Sequence, residues 1–460
     1  MTGIDDSVAA FIEAACAPLD CGHTSGTLDE AQAILSAQPE VAGHNIFAAA
    51  VLGEVATVRR FLAIDRGNAT AKGGPRGWDP LTYLCFSRYL RLDAARSDGF
   101  VQTATALLDA GASPNSGWFA RHEQPKPEWE SVLYGAAGVA HHEGLTRLLL
   151  ERGADPNDGE TPYHAPESDE MGVLKALVES GRLNDESLAT LLLRKTDCHH
   201  FEAIQWLLEQ GVAPNRLTHW GKTALHNALL SDNALEIIEV LLDHGADPAI
   251  RGDSGHGRRG PSRSSVALAA RRGRADVLDL LERRRIPIEL HGVDRLIAAC
   301  ARSDDDAIRS LTNEEPNLVS ELIAEGGEVV AEFAGNGNTE GVRRLLDLGV
   351  GISTLHAPGD GYFGVAPNST ALHVAAWRAR HDTVTFLIGR GATVDAPDGD
   401  GHTALALAVK ACVDSHWTHR RSPESVATLL RAGASVAGVA YPSGYPEVDA
   451  LLESHGAHQP

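Results

Sequence analysis

Several features that would place a protein in a familiar class are scarce or missing from this chain. No run of 18 or more apolar residues occurs in its 460 residues, so nothing predicts a transmembrane helix. Residues 1–30 contain acidic side chains but no lysine or arginine, and we therefore expect no secretory signal. The six cysteines, at positions 16, 21, 85, 198, 300 and 412, have no framework spacing. Free thiols in a reducing, cytoplasmic compartment are the expectation.

Positive charge is also in short supply. The chain has 40 lysines and arginines against 62 aspartates and glutamates, which gives a formal net charge of −22 at pH 7. Nucleic acids and anionic membranes attract basic surfaces, so we expect neither as a partner. The catalytic signatures Gly-x-Ser-x-Gly, His-Glu-x-x-His and Cys-x-x-Cys are missing too. We therefore expect no enzyme, no cofactor and no metal.

What the chain does contain is a repeated helix ending. The pattern L-L-x-x-G-[A/V] predicts an amphipathic helix closed by a glycine in the left-handed conformation, as at Gly153, Gly245, Gly391 and Gly433. Copies occur at residues 107–112, 149–154, 207–212, 241–246, 345–350 and 429–434, with a looser copy at 387–392. A period near 33 residues indicates a stacked solenoid rather than a globule.

A second pattern precedes several of these helix endings. Thr223 and His226 stand in Gly-Lys-Thr-Ala-Leu-His, and Thr370 and His373 stand in Asn-Ser-Thr-Ala-Leu-His. The threonine hydroxyl predicts an N-cap on the helix that follows. With Gly-Ala-Asp-Pro-Asn at residues 153–157, these motifs make the chain resemble the ankyrin repeat family over about residues 40–457. The whole chain also looks similar to bacterial ankyrin-repeat proteins of no assigned activity.

The resemblance implies an all-α fold, an ankyrin solenoid of about ten to eleven helix-turn-helix units with β-turn fingers. In that family the histidine holds neighbouring backbone, so His226 and His373 are interpreted as structural. We expect helical caps at both ends, two blocks of repeats, and a degenerate stretch that acts as a hinge. The predicted boundaries are 1–43 for the N-terminal cap, 44–261 for the first block, 262–340 for the degenerate repeats, 341–440 for the second block and 441–460 for the C-terminal cap.

Departures from the repeat predict where function lies. Residues 116–130, 251–263 and 355–367 lengthen fingers, and residues 412–423 lengthen the turn between paired helices. Of the seven tryptophans, only Trp206 falls at a core position of the repeat. Aromatic residues dominate binding hot spots, so one interpretation makes the others anchors for a partner. The candidates are Trp118, Phe119, Trp129, Trp220, Tyr362, Phe363 and Trp377. The alternative is that these rings pack on neighbouring fingers and stiffen the array.

Charge is unevenly distributed along the chain. Residues 251–285 hold ten arginines and four acids, and residues 301–340 hold ten acids and two arginines. Arg258, Arg259 and Arg263 on a finger are candidates to bind a carboxylate or phosphate group. Alternatively, the basic and acidic segments neutralise each other across adjacent repeats.

These observations predict a cytoplasmic, monomeric scaffold for protein–protein interaction. Its partner, basic overall, would lie across the concave face formed by fingers and first helices. One alternative is an enzyme or small-ligand-binding protein with a pocket near residues 355–367 and 412–423. Cys412, His416 and His419 have a metal-like spacing there but no fourth ligand nearby. Another alternative is a secreted effector that acts on host proteins.

Overall fold

A computed structural model of the chain shows a fold built almost entirely from paired helices. Helices make up 58% of it and strands 5%, which confirms the all-α prediction. Among the described residues, no helix is both long enough and apolar enough to cross a membrane. The structure describes residues 3–20, 22–120, 127–255, 260–415 and 417–458.

The chain divides into two compact units, Met1–His219 and Trp220–Pro460. In the first unit, two N-terminal helices precede the paired helices of the repeats. Its helices are α1 Ile4–Ala15, α2 Asp29–Ala37, α3 Ile46–Val51, α4 Val55–Ile64, α5 Pro80–Cys85, α6 Arg88–Leu92, α7 Ser97–Ala110, α8 Val132–Tyr134, α9 Glu143–Glu151, α10 Glu160–His164, α11 Met171–Glu179, α12 Asp185–Asp197 and α13 Phe201–Glu209.

In the second unit, first and second helices of the repeats alternate along the chain up to a single C-terminal helix. Its helices are α14 Ala224–Leu230, α15 Leu235–Asp243, α16 Ser265–Arg271, α17 Ala275–Arg283, α18 Val293–Arg302, α19 Asp305–Glu314, α20 Asn317–Asn336, α21 Thr339–Asp347, α22 Ala371–Trp377, α23 His381–Gly389, α24 Ala404–Val413, α25 Glu424–Arg431 and α26 Pro446–Ser454.

Shorter elements connect the helices. Two lengthened fingers form antiparallel hairpins, one in each unit, and their strands are β1 Gly117–Phe119 with β2 Trp129–Ser131, and β3 Arg251–Asp253 with β4 Ser262–Ser264. The 3-10 turns are Pro39–Gly43, Arg66–Ala69, Ala94–Arg96, Ala165–Glu167 and Thr418–Arg420, and a π-helical turn spans Gly135–Val139.

The repeated motifs form the framework. The first leucine of each L-L-x-x-G-[A/V] copy is fully buried, at positions 107, 149, 207, 241, 345 and 429, and so is Leu387 of the looser copy. The φ angles of Gly153, Gly245, Gly391 and Gly433 lie between 84° and 98°, and this left-handed conformation ends each helix. His226 Nε2 lies 3.1 Å from the Arg263 carbonyl, and His373 Nε2 lies 2.8 Å from the Ala396 carbonyl. Each histidine thereby ties a first helix to the next finger.

Candidate functional site

The β1–β2 hairpin presents two aromatic rings to solvent. In its register Phe119 lies opposite Trp129, and Trp118 lies opposite Glu130. Opposed residues share one face of a hairpin, and successive residues alternate between faces. Phe119 is 58% exposed and Trp129 is half-buried, with their ring centroids 4.7 Å apart. The strands can pair here because position 117 is glycine: a Cβ atom on Gly117 would lie 2.2 Å from the Glu130 carbonyl oxygen.

Trp118 faces the other way and belongs to the core. It is 8% exposed, and its ring centroid lies 5.1 Å from that of Trp78, 5.8 Å from that of Phe86 and 5.8 Å from that of His23. Its ring is therefore not available to a partner, which corrects the prediction of Trp118 as a binding anchor. The physical reason is strand alternation, because an outward Phe119 requires an inward neighbour. Packing of Trp118 holds the hairpin against the repeats.

A buried carboxyl group lies beneath the same hairpin. Glu130 is 1% exposed, and within the described residues its Oε2 atom has no hydrogen-bond partner. Burial, reinforced by the negative charges of Glu160 and Glu128, raises the pKa of Glu130 to about 8. Burial lowers the pKa of His164, but its hydrogen bonds to Glu160 and Glu167 outweigh that effect and raise it to about 9. At pH 7 the hairpin therefore covers a carboxylic acid close to a cationic imidazole.

The aromatic residues of the second unit's insertions pack on one another. Phe363 and Trp377 are each 7% exposed and Trp417 is 6% exposed. The Trp417 ring lies 6.0 Å from Phe363 and 5.4 Å from Trp377, and Trp377 Nε1 donates to the Phe363 carbonyl. Tyr362 is half-buried against Phe363, 4.8 Å away. Phe363 and Trp377 were predicted as anchors and are core residues instead, because the two insertions fold onto each other.

The remaining tryptophan predictions have mixed outcomes. Trp220 is half-buried. Trp206, expected in the core, is also half-buried, and the Lys175 ammonium lies 6.0 Å from its ring centroid. The second helix leaves one edge of this large ring uncovered, where a lysine stem can cover it.

The basic segment is largely neutralised by neighbouring acids. Arg263 lies 3.7 Å from Asp294. Arg271 lies 2.6 Å from both Asp294 and Glu325, and Glu325 belongs to the acidic segment 301–340. The Arg271–Glu325 pair joins the basic and acidic segments as the neutralisation interpretation expects, whereas the partner of Arg263, Asp294, lies between them. Arg258 and Arg259 lie outside the described residues, as does His416.

A different group of arginines gathers where the helix–helix turns of the second unit meet. In five repeats this turn has two to four residues and contains one with a left-handed φ, at Asp232, Gly273, Ser303, Gly337 and Ala379. Arginine or asparagine flanks several of these left-handed residues, as Arg272 and Arg274, Asn336 and Asn338, and Arg378 and Arg380. Equivalent positions of stacked repeats lie on one edge, so the turns bring these side chains together.

Asp232 is at the centre of this group. Its Oδ1 accepts hydrogen bonds from Arg272 at 2.8 and 3.0 Å, and its Oδ2 accepts one from Arg378. Arg272 also lies 3.0 Å from Glu332. Arg378 is 1% exposed and Arg272 is 3% exposed. We call Asp232 together with Arg272, Arg274, Arg378, Arg380 and Arg420 the arginine hub.

Charge pairing stabilises the ionised form of the central carboxylate. Burial alone would raise the pKa of Asp232, but Arg272 and Arg378 outweigh it and hold the pKa well below its usual range. Phe363 covers the group from the insertion at 355–367, with its ring centroid 4.2 Å from the Arg378 guanidinium and 5.6 Å from that of Arg272. The insertion thus covers one side of the hub.

Two arginines of the hub have no directly paired carboxylate. No described carboxylate lies within 4.0 Å of Arg380 or Arg420. Burial lowers the pKa of Arg380 to about 9, and the positive charges of Arg420 and Arg378 contribute. The pKa of Arg420 falls to about 10, again through burial and then Arg378. Both guanidinium groups remain charged at pH 7, so the hub has excess positive charge.

Two cavities adjoin the hub. The one nearest the insertion at 355–367 has a volume of about 10 Å³, room for a single water molecule. The other is open to solvent and has a volume of about 390 Å³. It is lined by residues of four turns, at positions 232–235, 273–276, 336–338 and 380. Within the described residues, no cluster of histidine, cysteine and acidic side chains could hold a metal ion.

The hub was not predicted from the sequence. A usable signal exists, namely Arg-x-Arg at the same turn position of two repeats, residues 272–274 and 378–380. Because the two copies are about 100 residues apart, the periodicity does not show that they meet.

Comparisons with known proteins place this architecture. The family model described as ankyrin repeats (3 copies) matches residues 168–252, 192–289 and 296–398. Cyclin-dependent kinase 4 inhibitor B of Bos taurus is 34% identical over 118 residues, which are 24% of this chain and 84% of the inhibitor. The ankyrin repeat domain of human ASB11 is similar at 20% identity and a TM-score of 0.26, over 58% of this chain and 99% of that one.

Two larger relatives share only part of their length with this chain. Human Rabankyrin-5 is 24% identical over 336 residues, 67% of this chain and 24% of Rabankyrin-5. Serine/threonine-protein kinase 12 of Arabidopsis thaliana is 34% identical over 100 residues, 22% of this chain and 20% of the kinase. These relatives are eukaryotic, and the bacterial likeness stays a prediction. The match to the family model and the 34% identity over 84% of the bovine inhibitor show that this chain belongs to the ankyrin repeat family.

Proposed function

We propose that this chain is a scaffold that binds a partner protein through the β1–β2 hairpin of its first unit. Ankyrin repeats are a general protein–protein interaction module. The observation that carries the proposal is the aromatic pair on the outer face of the hairpin. Phe119 is 58% exposed, and the ring centroid of the half-buried Trp129 lies 4.7 Å from that of Phe119. Exposed aromatic rings on a short hairpin provide the large, rigid apolar surface that binding hot spots use.

The opposite face of the hairpin favours binding as well. Trp118 packs against Trp78 and Phe86, so the strand that carries Phe119 is fixed before a partner arrives. Little backbone entropy is then lost on association, which increases the affinity available from a small contact. The net charge of −22 favours a partner that is basic overall, whose encounter rate would fall with salt.

The experiment is affinity capture from the native cell lysate with three folded baits. One is the intact chain, one is Phe119→Ser/Trp129→Ser, and one is the matched control Ile64→Ser. Ile64 is the last residue of α4, and its apolar side chain is 75% exposed. Circular dichroism and thermal melting confirm that each bait is folded. Each capture is repeated at low and at high salt.

A protein retained by the intact chain and the Ile64 control but lost from the hairpin variant supports the proposal. Equal retention by all three baits would overturn it, because the two rings would then serve only to close the hairpin. The cytoplasmic location and the monomeric state belong to the same proposal and rest on composition alone.

A further inference from the structure

The open cavity of about 390 Å³ beside the arginine hub has the features of an anion site. Arg380 lines it, and the Nε of Arg380 donates to the Gly335 carbonyl at 2.8 Å. No described carboxylate lies within 4.0 Å of its guanidinium. Arg378 behind it is 1% exposed, and its Nε has no hydrogen-bond partner within the described chain. Arg378 has Asp232 as its counter-ion, whereas the partly buried Arg380 has no directly paired carboxylate, and an anion in the cavity would supply one.

The carboxylates near the cavity are already occupied. Asp232 is held by Arg272 and Arg378, and Asp276 accepts from Arg274 at 2.8 and 2.9 Å. Neither pairs directly with Arg380, and the favourable charge of Asp232 is outweighed there by burial and by Arg420 and Arg378. The positive charge that remains is that of Arg380 and of Arg420, which repels it. Of these two, Arg380 lines the cavity, and Arg420 adds its positive charge from beyond the lining, which favours a doubly charged anion over a singly charged one.

The backbone around the cavity also provides hydrogen-bond donors for an anion. The first residues of α15 and α17 and the N-cap of α23 line it, and none of these three helices receives a side-chain cap. The amide of Ala275 at the start of α17 already donates to the Gly273 carbonyl at 3.0 Å, so the first amide groups of α15 and α23 are the donors left at the positive ends of helix dipoles. The carbonyl groups of the same turns are already used. Arg274 binds the Asn233 carbonyl, Arg380 binds that of Gly335, and Asn338 binds that of Gly273.

We propose that this cavity binds a phosphate monoester, with Arg380 as its principal charged contact. A phosphate monoester carries a charge of about −1.5 to −2 at pH 7 and has three strong acceptor oxygens. Its charge suits Arg380 with Arg420 beyond it, and its oxygens match the Arg380 guanidinium and the first amide donors of α15 and α23. A free organic phosphate and a phosphorylated side chain of another protein share this chemistry. The site lies in the second unit and does not depend on the hairpin of the first.

The test is calorimetric titration of the intact chain in a buffer without phosphate or sulfate. The probes are inorganic phosphate, phenyl phosphate, acetate, a capped phosphoserine pentapeptide and the same peptide unphosphorylated. Variants are Arg380→Gln, Arg380→Lys and the matched control Arg390→Gln. Arg390 follows α23 in the same repeat and pairs with Asp347 at 2.8 Å on the surface, away from the cavity.

We expect phosphate and phenyl phosphate to bind the intact chain and the Arg390 control equally. Arg380→Gln weakens binding about tenfold or more, since a charge-assisted hydrogen bond is lost, and Arg380→Lys weakens it less. Tighter binding of the phosphopeptide than of phenyl phosphate identifies a phosphorylated protein segment as the source, and equal binding identifies a free monoester. Binding by neither phosphate nor phenyl phosphate, or equal binding by Arg380→Gln, would overturn the proposal. So would equal binding of acetate.

Discussion

The carboxylate of Asp232 binds the guanidinium group of Arg378, which lies 146 residues further along the chain. Three helix pairs lie between the two in sequence, α16 with α17, α18 with α19, and α20 with α21. Packed helices are about 8 to 10 Å apart, so a straight stack would separate these turns by about 35 Å. Direct contact means that the turn edge of this stretch curves inward until repeats four steps apart meet.

The first prediction concerns the centre of that contact. Asp232→Asn should lower the free energy of unfolding by about 3 to 5 kcal/mol, because the buried guanidinium groups of Arg272 and Arg378 lose their shared counter-charge. The matched control is Asp243→Asn, whose side chain is 59% exposed and pairs with Arg284 at 2.5 Å. That change should cost less than about 1 kcal/mol. Urea denaturation followed by circular dichroism measures both, and equal costs would contradict a role for the hub in stability.

The second prediction concerns Glu130 and pH. The pKa of Glu130 is about 8 in the folded chain, whereas the usual value of a glutamate, which applies to the unfolded chain, is 4.5. The folded protein therefore binds the proton more tightly. The resulting stabilisation is fully present below about pH 4.5 and is lost as the pH rises through about 8. Glu130→Gln should flatten this loss and raise stability at pH 8 by an amount on the order of 2 to 4 kcal/mol.

Urea midpoints of the two proteins at pH 5, 6.5 and 8 give the comparison. His164 titrates in both, so the difference between them isolates Glu130. A constant difference across the three pH values would show that Glu130 is not the titrating group.

The third prediction separates the core tryptophan from the exposed phenylalanine. Trp377→Ala should cost about 3 to 5 kcal/mol, since it removes a ring packed against Trp417 and Phe363. Phe119→Ala should cost less than about 1 kcal/mol, because its ring is mostly in solvent already. Thermal or chemical denaturation decides, and a large cost at Phe119 would assign the hairpin pair to folding rather than to binding.

The fourth prediction concerns the degenerate repeats. We expect faster amide hydrogen exchange in residues 286–340 than in residues 220–250, most of all in α19. That helix buries only Ile308 and Leu311, whereas α15 buries five apolar side chains. Exchange measured by mass spectrometry tests this, and equal protection in the two segments would exclude a hinge.

Local patterns were sufficient for the framework. Each leucine that begins L-L-x-x-G-[A/V] is buried, because the motif specifies both the face of a helix and its end. The repeat period, together with the Thr-Ala-Leu-His motif, was enough to recognise the family. These features depend on residues a few positions apart, which is the range over which a sequence pattern specifies structure.

The binding-site predictions were weaker, because exposure depends on longer-range geometry. Trp118 and Phe119 are adjacent, yet strand alternation puts one in the core and the other in solvent. Phe363, Trp377 and Trp417 lie in or beside two separate insertions whose mutual packing no period encodes. The arginine hub requires the curvature of several successive repeats, and a pattern of 33 residues contains no information about where repeats four steps apart come to lie.

The contact between Asp232 and Arg378 also restricts how this array can change in length. In a simple solenoid a repeat touches only its neighbours, so a unit can be duplicated or deleted with local consequences. Here the repeats between residues 232 and 378 must be of the right number for the turns to reach a common point. Insertion of one unit would move Arg378 away from Asp232 and leave Arg378 buried without the carboxylate that it binds. This stretch therefore behaves as a module of fixed size within the array.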